Sequence, residues 1–111
     1  MTTTSRVVPR SRAEQDIDEA VDHYFAEGGA QVTLRFINSL ESAFKHLAAT
    51  PDAGSPRYAT ELDLPGLRHW RLNKFPYLIF YVVNAEVVDV WRVLHGKQDI
   101  PLTMQTDLPT E

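Results

Sequence analysis

Basic side chains gather in the part of the chain that is predicted to form a β-sheet, and their types could act on a phosphodiester. They are Arg68, His69, Arg71, Lys74, Arg92, His95 and Lys97. A cluster of Arg, Lys and His could cleave RNA without metal, with one group as base, another as acid and Arg stabilising the phosphorane charge. The same cluster could bind acidic side chains of a partner, or form the solvated rim of a sheet.

Other chemical sites are not indicated. His23, His46, His69 and His95 do not have metal-ligand spacing, and there is no cysteine for a thiolate site or a disulfide. The glycines do not form a phosphate-binding loop, and the serines do not lie in a nucleophile elbow. We therefore expect no metal and no cofactor, so that any catalytic role would fall to the basic residues of the sheet.

Charge and hydropathy limit the class of protein. The net charge is −4, although residues 57–97 hold six basic and four acidic side chains, a local balance of +2. The overall charge argues against a general nucleic-acid binder. The N-terminus shows no apolar signal segment, and the longest apolar run, Tyr77–Val83, is too short to span a bilayer. With no cysteine, the sequence predicts a cytoplasmic protein with no membrane partner.

Two amphipathic helices are predicted in the first half of the chain. Ser11 and Glu14 have the spacing of a capping box, and apolar residues follow at helical intervals up to Gly28-Gly29. The acidic residues between them, Asp16 included, are predicted to face away from this stripe. A second helix, from about residue 30 to residue 49, ends before Pro51, so the pair forms an antiparallel hairpin. The core positions are predicted to include Val21, Phe25, Phe36, Leu40 and Phe44, with Phe80 and Val90 in the sheet.

The rest of the chain is predicted to form a sheet. Arg6-Val7-Val8 is a first, edge strand, residues 51–66 are a long loop, and Leu67–Lys74, Tyr77–Val83 and Val87–His95 form an antiparallel meander with Tyr77–Val83 central. Both faces of this meander are apolar, whereas one helix pair covers one face. The loop, the tail or a second protein must cover the other. The prediction is thus an α+β fold, with a single domain over residues 1–100 and a loose tail over residues 101–111.

Two stretches carry a family resemblance. LRHWRLNKFPYLIFY (Leu67–Tyr81) and WRVLHGKQD (Trp91–Asp99), in this order of elements, resemble the RelE/ParE superfamily of toxins from bacterial toxin–antitoxin pairs. The helix AEQDIDEAVDHYF and the loop TPDAGSP support the match, which extends over residues 5–100. Within the superfamily, the chain resembles the ParE branch.

The resemblance implies one of two activities. Members resembling RelE cut messenger RNA on the ribosome, and they commonly carry Arg after the tyrosine that opens the middle strand, and a late Tyr or His. Here Leu78 follows Tyr77, and no Tyr or His comes after His95. The ParE reading implies a poison of DNA gyrase that is not a catalyst. The alternatives are a ribonuclease using Arg71, Arg92 and His95, or an inactive homologue that acts only as a co-repressor.

The resemblance also implies a partner. A ParD-like antitoxin would wrap the toxin with an amphipathic, acidic segment, and DNA would be contacted only indirectly, through the antitoxin. The isolated toxin would then be poorly soluble. Residues predicted to contact the antitoxin or the target are Arg68, Trp70, Arg71, Lys74, Trp91, Arg92, His95 and Lys97. Their main alternative roles are structural: His95 as a satisfied histidine, Arg92 in a salt bridge with Asp99 as its candidate partner, and the tryptophans as fillers of a core or interface.

Overall fold

The computed structural model describes residues 5–106, and the side chains of residues 5–104. Its elements are β1 (Arg6–Pro9), the helical run α1 (Ser11–Ala49), a 3-10 turn (Pro51–Ala53), α2 (Arg57–Glu61), β2 (Arg68–Arg71), β3 (Tyr77–Asn84), β4 (Val87–His95) and α3 (Ile100–Thr106). This is the predicted α+β fold. None of the helices within residues 5–106 has the length and apolarity that crossing a bilayer would require.

The helical run α1 is a hairpin of two arms that meet at Gly29. Gly29 has φ 74° and ψ −165°, a conformation that glycine adopts without the strain of a Cβ. Across this break the Tyr24 and Phe36 rings lie 5.1 Å apart. In an unbroken helix, twelve residues would separate them by about 18 Å along the axis. The arms, residues 11–28 and residues 30–49, therefore fold back on each other as the diglycine predicts.

The start of α1 differs from the predicted capping box. Arg10 takes the N-cap position with an extended backbone, no side chain caps the helix, and Ser11 is already helical. The reason is the preceding strand: the Arg10 N–H still donates to Val90 O, at 2.9 Å, and the Arg10 carbonyl accepts from Glu14 N. Because the helix follows the strand without a loop, Ser11 cannot adopt the extended conformation that an N-cap requires.

The sheet has the strand order β1-β4-β3-β2. β1 is an edge strand parallel to β4, whereas β2, β3 and β4 form the predicted antiparallel meander with β3 inside it. The register between β3 and β4 shifts between Phe80 and Tyr81, where Phe80 pairs with Arg92 and Tyr81 with Val90. The residue inserted by this bulge is Trp91.

The α1 hairpin covers one face of the sheet. Ile79 and Tyr81 of β3 and Val90 of β4 are buried there against Phe36 and Leu47 of the second arm. Phe36, Leu40, Phe80 and Val90 are buried as predicted, while Val21 and Phe44 are half-buried at the edge of this core.

The prediction that Phe25 is buried is wrong, since Phe25 is 61% exposed. Tyr24 takes the inward position and its ring contacts the rings of Phe36, Phe75 and Tyr77. The next residue along a helix is rotated by about 100°. Phe25 therefore faces away from the sheet.

The protein itself covers the second face of the sheet. Leu78, Phe80 and Leu94 form a second core with Ile100 and Met104 of α3, and residues 58–64 pack at its edge. Residues 51–66 contain a 3-10 turn and α2 rather than an irregular loop. The expectation of a loose tail is also corrected for residues 101–106, which belong to α3, because Ile100 and Met104 have an apolar sheet face to bury. Residues 107–111 lie outside the described residues.

Candidate functional site

Arg92, a predicted site residue, is part of a buried ion pair. Its Nε and Nη2 donate to the two carboxylate oxygens of Asp16, at 2.7 Å and 2.9 Å. The Asp16 carboxylate also accepts from Val93 N and from Arg12 Nη1. Both side chains of the pair are about 5% exposed or less. Arg92 therefore forms a salt bridge, but to Asp16 of the first arm rather than to Asp99.

His95 belongs to a turn that closes β4. Its Nδ1 accepts from Lys97 N at 3.1 Å, and its own N–H donates to Gln98 Oε1 at 2.8 Å. Asp99 then caps α3, because its Oδ1 accepts from Leu102 N, three residues further on. The HGKQD part of the motif thus forms a turn and the start of a helix, and both are structural roles.

A cleft of about 320 Å³ lies beside this turn, and the His95 ring borders it. Tyr77, whose ring lies 5.2 Å from that of His95, also lines the cleft with residues of the first arm, including His23 and Glu19. Burial, followed by the proximity of Tyr24, raises the pKa of the Tyr77 hydroxyl. Tyr77 is therefore a neutral hydrogen-bonding group at physiological pH.

Arg71 lines a different depression from Arg92 and His95, which both line the cleft. Among the described cavities, Arg92 and His95 of the alternative catalytic set therefore share one, and Arg71 lines another. Arg92 could reach a phosphate only by separating from Asp16, which would keep its longer contact with Arg12, and separating a buried ion pair is strongly unfavourable.

A groove runs between the second arm and β2 with its following turn, and we call it the β2 groove. It consists of two adjoining depressions of about 570 Å³ and about 430 Å³. Its lining is Arg35, Asn38, Ser39, Ser42, Ala43, His46, Trp70, Arg71, Leu72, Asn73, Lys74 and Phe75. Ser39 Oγ donates to Asn73 O at 2.8 Å across the groove, and the His46 and Trp70 rings lie 4.6 Å apart. The groove brings together Trp70, Arg71 and Lys74 of the predicted site.

The remaining predicted contact residues are dispersed. Arg68 Nη1 donates to the carbonyl oxygens of Gly54 and Asp52, and so holds the segment after α1. The Trp91 Nε1–H donates to Asp89, whose carboxylate also binds Arg10, and the Arg10 guanidinium lies 4.9 Å from the Trp91 ring centroid. The Lys97 side chain is exposed after β4.

His69 has an unusual environment on the second face. Its ring packs against those of Tyr58 and Phe80, and within the described residues its Nδ1 is buried with no hydrogen-bond partner. Burial, and to a smaller degree the charge of Arg57, lowers the pKa of His69. A neutral imidazole is therefore favoured at this position.

The acidic partners in these sites were not predicted. Asp16 was predicted only to face away from the apolar stripe, and no role was predicted for Asp89. The available signal for Asp16 was its position beside the apolar stripe, since Ala13, three residues before it, and Ala20, four residues after it, are its neighbours on the helix surface. In the described part of the chain, no group of three or more His, Cys, Asp or Glu side chains could hold a metal ion.

Residues 7–100 match the family described as the ParE toxin of the type II toxin–antitoxin system parDE. The chain belongs to this family, as the two motifs indicated. Toxin ParE3 of Caulobacter vibrioides is 30% identical over 96 residues, which cover 86% of this chain and 90% of that protein. Toxin ParE1 of Mycobacterium tuberculosis is 30% identical over 98 residues, covering 87% and 95%.

A solved structure supports the same fold. The chain is similar to one in the chromosomal ParDE toxin–antitoxin system from P. aeruginosa, with a TM-score of 0.71, 21% identity, and coverage of 85% of this chain and 98% of that one. This protein is thus a ParE-type toxin of a type II toxin–antitoxin system.

Proposed function

We propose that this toxin poisons DNA gyrase in the bacterial cytoplasm and is neutralised by a ParD-like antitoxin. The observation that carries the proposal is the match of residues 7–100 to the ParE family, together with relatives that align over nearly their full length. Gyrase poisoning is the activity that the resemblance to ParE implies. The proposed action is binding rather than catalysis.

The environment of the candidate catalytic residues supports binding over ribonuclease chemistry. Position 78, where RelE-like members commonly carry Arg, holds a leucine that is 8% exposed in the second core. Arg92 is engaged by Asp16, and His95 Nδ1 accepts a backbone N–H. General acid–base catalysis typically contributes about 10²–10⁴ in rate and needs groups that can reach the substrate. The contacts of these residues lie within the fold, and this supports the proposed binding role.

The eight residues that were predicted to bind a partner can be divided by their burial and by their contacts within the protein. Arg68 and Arg92 are held by internal bonds, and Trp91 and His95 are half-buried with polar partners of their own. Arg71, Lys74 and Lys97 are exposed, and Trp70 is half-buried in the β2 groove. We assign contact with partners to these last four residues.

The test is a supercoiling assay with purified gyrase and toxin freed of its antitoxin. We expect the toxin to block supercoiling and to trap cleaved DNA on the enzyme, and we expect the antitoxin encoded beside it to reverse both effects. Messenger RNA on ribosomes should stay intact under the same conditions.

The His95→Ala variant distinguishes the alternatives. If the wild-type toxin cleaves messenger RNA on ribosomes and leaves gyrase unaffected, and if His95→Ala abolishes this cleavage, the protein is a ribonuclease.

The third alternative is tested with the wild-type toxin. A toxin that affects neither gyrase nor messenger RNA, but increases operator binding by its antitoxin, would be an inactive homologue that acts as a co-repressor.

A further inference from the structure

Four exposed cations form a band across one end of the molecule. This basic band consists of Arg35 of the second arm, Arg71 at the end of β2, Lys74 in the following turn and Lys97 after β4. Three of them line the β2 groove. Lys97 follows Gly96, whose N–H donates to Pro76 O at 2.7 Å. A Cβ added at Gly96 would lie 3.8 Å from Arg71 Nη1, so Lys97 follows a residue that is close to the Arg71 side chain.

The members of the basic band differ from four arginines that have hydrogen-bonding or ionic partners in the structure. Arg10, Arg12 and Arg92 are paired with Asp89 or Asp16, and Arg68 is bonded to backbone carbonyls. Within residues 5–104, the structure gives no ion pair to any member of the basic band. Among the described side chains, none of those that line the β2 groove is acidic. A protein with a net charge of −4 thus keeps a local surface of one sign.

The chemistry of the band fits phosphate groups. Hydroxyl and amide side chains lie between the cations, and Arg, Lys, Ser and Asn are the residue types that commonly contact DNA phosphates. A peptide that folds onto a protein needs apolar anchors. The β2 groove does offer Trp70 and Phe75 as half-buried apolar lining. The choice of phosphate over a peptide therefore rests on the four exposed cations, to which the structure gives no ion pair within residues 5–104.

We propose that the basic band binds the phosphodiester backbone of DNA, and that the DNA it meets is the segment held by gyrase. The claim that this DNA is held by gyrase rests on the proposed function, whereas the claim of a DNA-binding site rests on the basic band itself. This proposal assigns direct DNA contact to the toxin, whereas the family resemblance implied that DNA is contacted only indirectly, through the antitoxin. The toxin would then stabilise the cleaved complex partly by holding its DNA.

Binding of antitoxin-free toxin to a fluorescein-labelled DNA duplex, measured by anisotropy over a salt series, tests the site. We expect affinity to fall with salt, and each of Arg71→Gln and Lys74→Gln to lower the logarithmic salt slope by about one, as for the loss of one phosphate contact. Lys45→Gln is the matched control, because Lys45 is exposed on the same arm as Arg35 but does not line the groove. Lys74 has φ 69°, a conformation that glycine adopts more readily than residues with a Cβ. Substitution by Gln therefore removes the charge without changing the backbone energetics of the turn, whereas Gly would change both.

A second assay separates this proposal from the proposed function. The Arg71→Gln/Lys74→Gln variant should trap less cleaved DNA on gyrase than the Lys45→Gln variant. The DNA site would be overturned if the wild-type toxin poisons gyrase without binding DNA and the band variants poison gyrase equally well. The proposed function would then remain intact. A toxin that binds DNA through the band but does not affect gyrase would overturn the proposed function, and with it the assignment of the DNA to gyrase, and would leave the DNA-binding site intact. Unchanged DNA binding with weakened antitoxin binding would assign the band to an acidic antitoxin segment and overturn the proposal.

Discussion

At the scale of single residues, the pair formed by Asp16 and Arg92 joins the first helical arm to the sheet. A buried ion pair does not necessarily stabilise a fold relative to apolar residues, because both ions lose their hydration. Removing one partner has a larger effect, since the other charge remains buried without its counter-ion. The pair therefore constrains which orientation of the first arm on β4 is compatible with folding.

Substitution of Asp16 should accordingly be strongly destabilising. Asp16→Asn is expected to lower the free energy of unfolding by about 3–5 kcal/mol, the usual range for a broken buried pair. Urea denaturation measures this effect, with Asp18→Asn, an exposed change on the same arm, as the control. The Asp16→Leu/Arg92→Met double variant should be more stable than the sum of its single changes predicts. Additive effects would show that the two charges are not coupled.

His69 gives a prediction about pH at the same scale. Because burial and Arg57 lower its pKa from the ordinary 6.5, the native protein binds fewer protons here than the unfolded chain as the pH falls below that value. The contribution of His69 to stability is therefore complete above about pH 6.5 and is lost as the pH falls towards the native pKa.

The His69→Phe variant, which keeps an aromatic ring between Tyr58 and Phe80, should lose this part of the pH dependence. The measurement is the urea midpoint at about pH 7.5 and about pH 5.5, on either side of the ordinary histidine pKa. The exposed His23→Gln change serves as the control. If His69→Phe retains the full wild-type dependence, another group is responsible for it.

At the scale of elements, α3 completes the second core. Met104 is 1% exposed against the sheet, whereas Leu102, two residues earlier, is 61% exposed. Met104→Ala should lower the unfolding free energy by about 2 kcal/mol or more through lost burial and the resulting cavity. Leu102→Ala, which removes an apolar side chain of similar size from the same helix, should change it by less than about 0.5 kcal/mol. Equal effects in thermal or urea unfolding would mean that α3 does not pack on the sheet.

At the scale of the whole molecule, the sheet has cover on both faces from its own chain. Poor solubility of the isolated toxin was predicted from an uncovered apolar face, and α3 and residues 58–64 remove that reason. The predicted low solubility therefore stays a prediction without structural support. Antitoxin binding is better argued from the family and from the exposed surface than from an exposed core.

Antitoxin binding should still raise the melting temperature of the toxin. A partner that binds only the native state, at one hundred times its Kd, adds about 2.7 kcal/mol of stability. For a domain of this size, that corresponds to a rise of roughly 10 °C. Differential scanning fluorimetry with increasing antitoxin measures the shift, and an antitoxin from an unrelated operon is the control. An unchanged melting temperature at saturating concentration would contradict the pairing.

The sequence by itself determined the elements that local periodicity controls. The 3.6-residue spacing in the two arms, the Gly28-Gly29 break and the two-residue alternation in Tyr77–Val83 each depend on neighbours close in sequence. They predicted the hairpin, the central strand and, through the motifs Leu67–Tyr81 and Trp91–Asp99, the family. The run of apolar residues at both parities of Tyr77–Val83 also showed that this strand has two apolar faces. It could not show which parts of the chain cover them.

Tertiary structure alone decided which side chains meet. Asp16 and Arg92 are 76 residues apart, and a polar residue in a helical pattern carries no local sign that its partner lies on a distant strand. Phe25 is exposed because Tyr24 takes the inward position, and α3 forms because the second sheet face is there to receive Ile100 and Met104. Likewise, Arg71 lines one depression and Arg92 and His95 line another. Contacts distant in sequence depend on how the elements pack, and the periodicity of each element does not specify that packing.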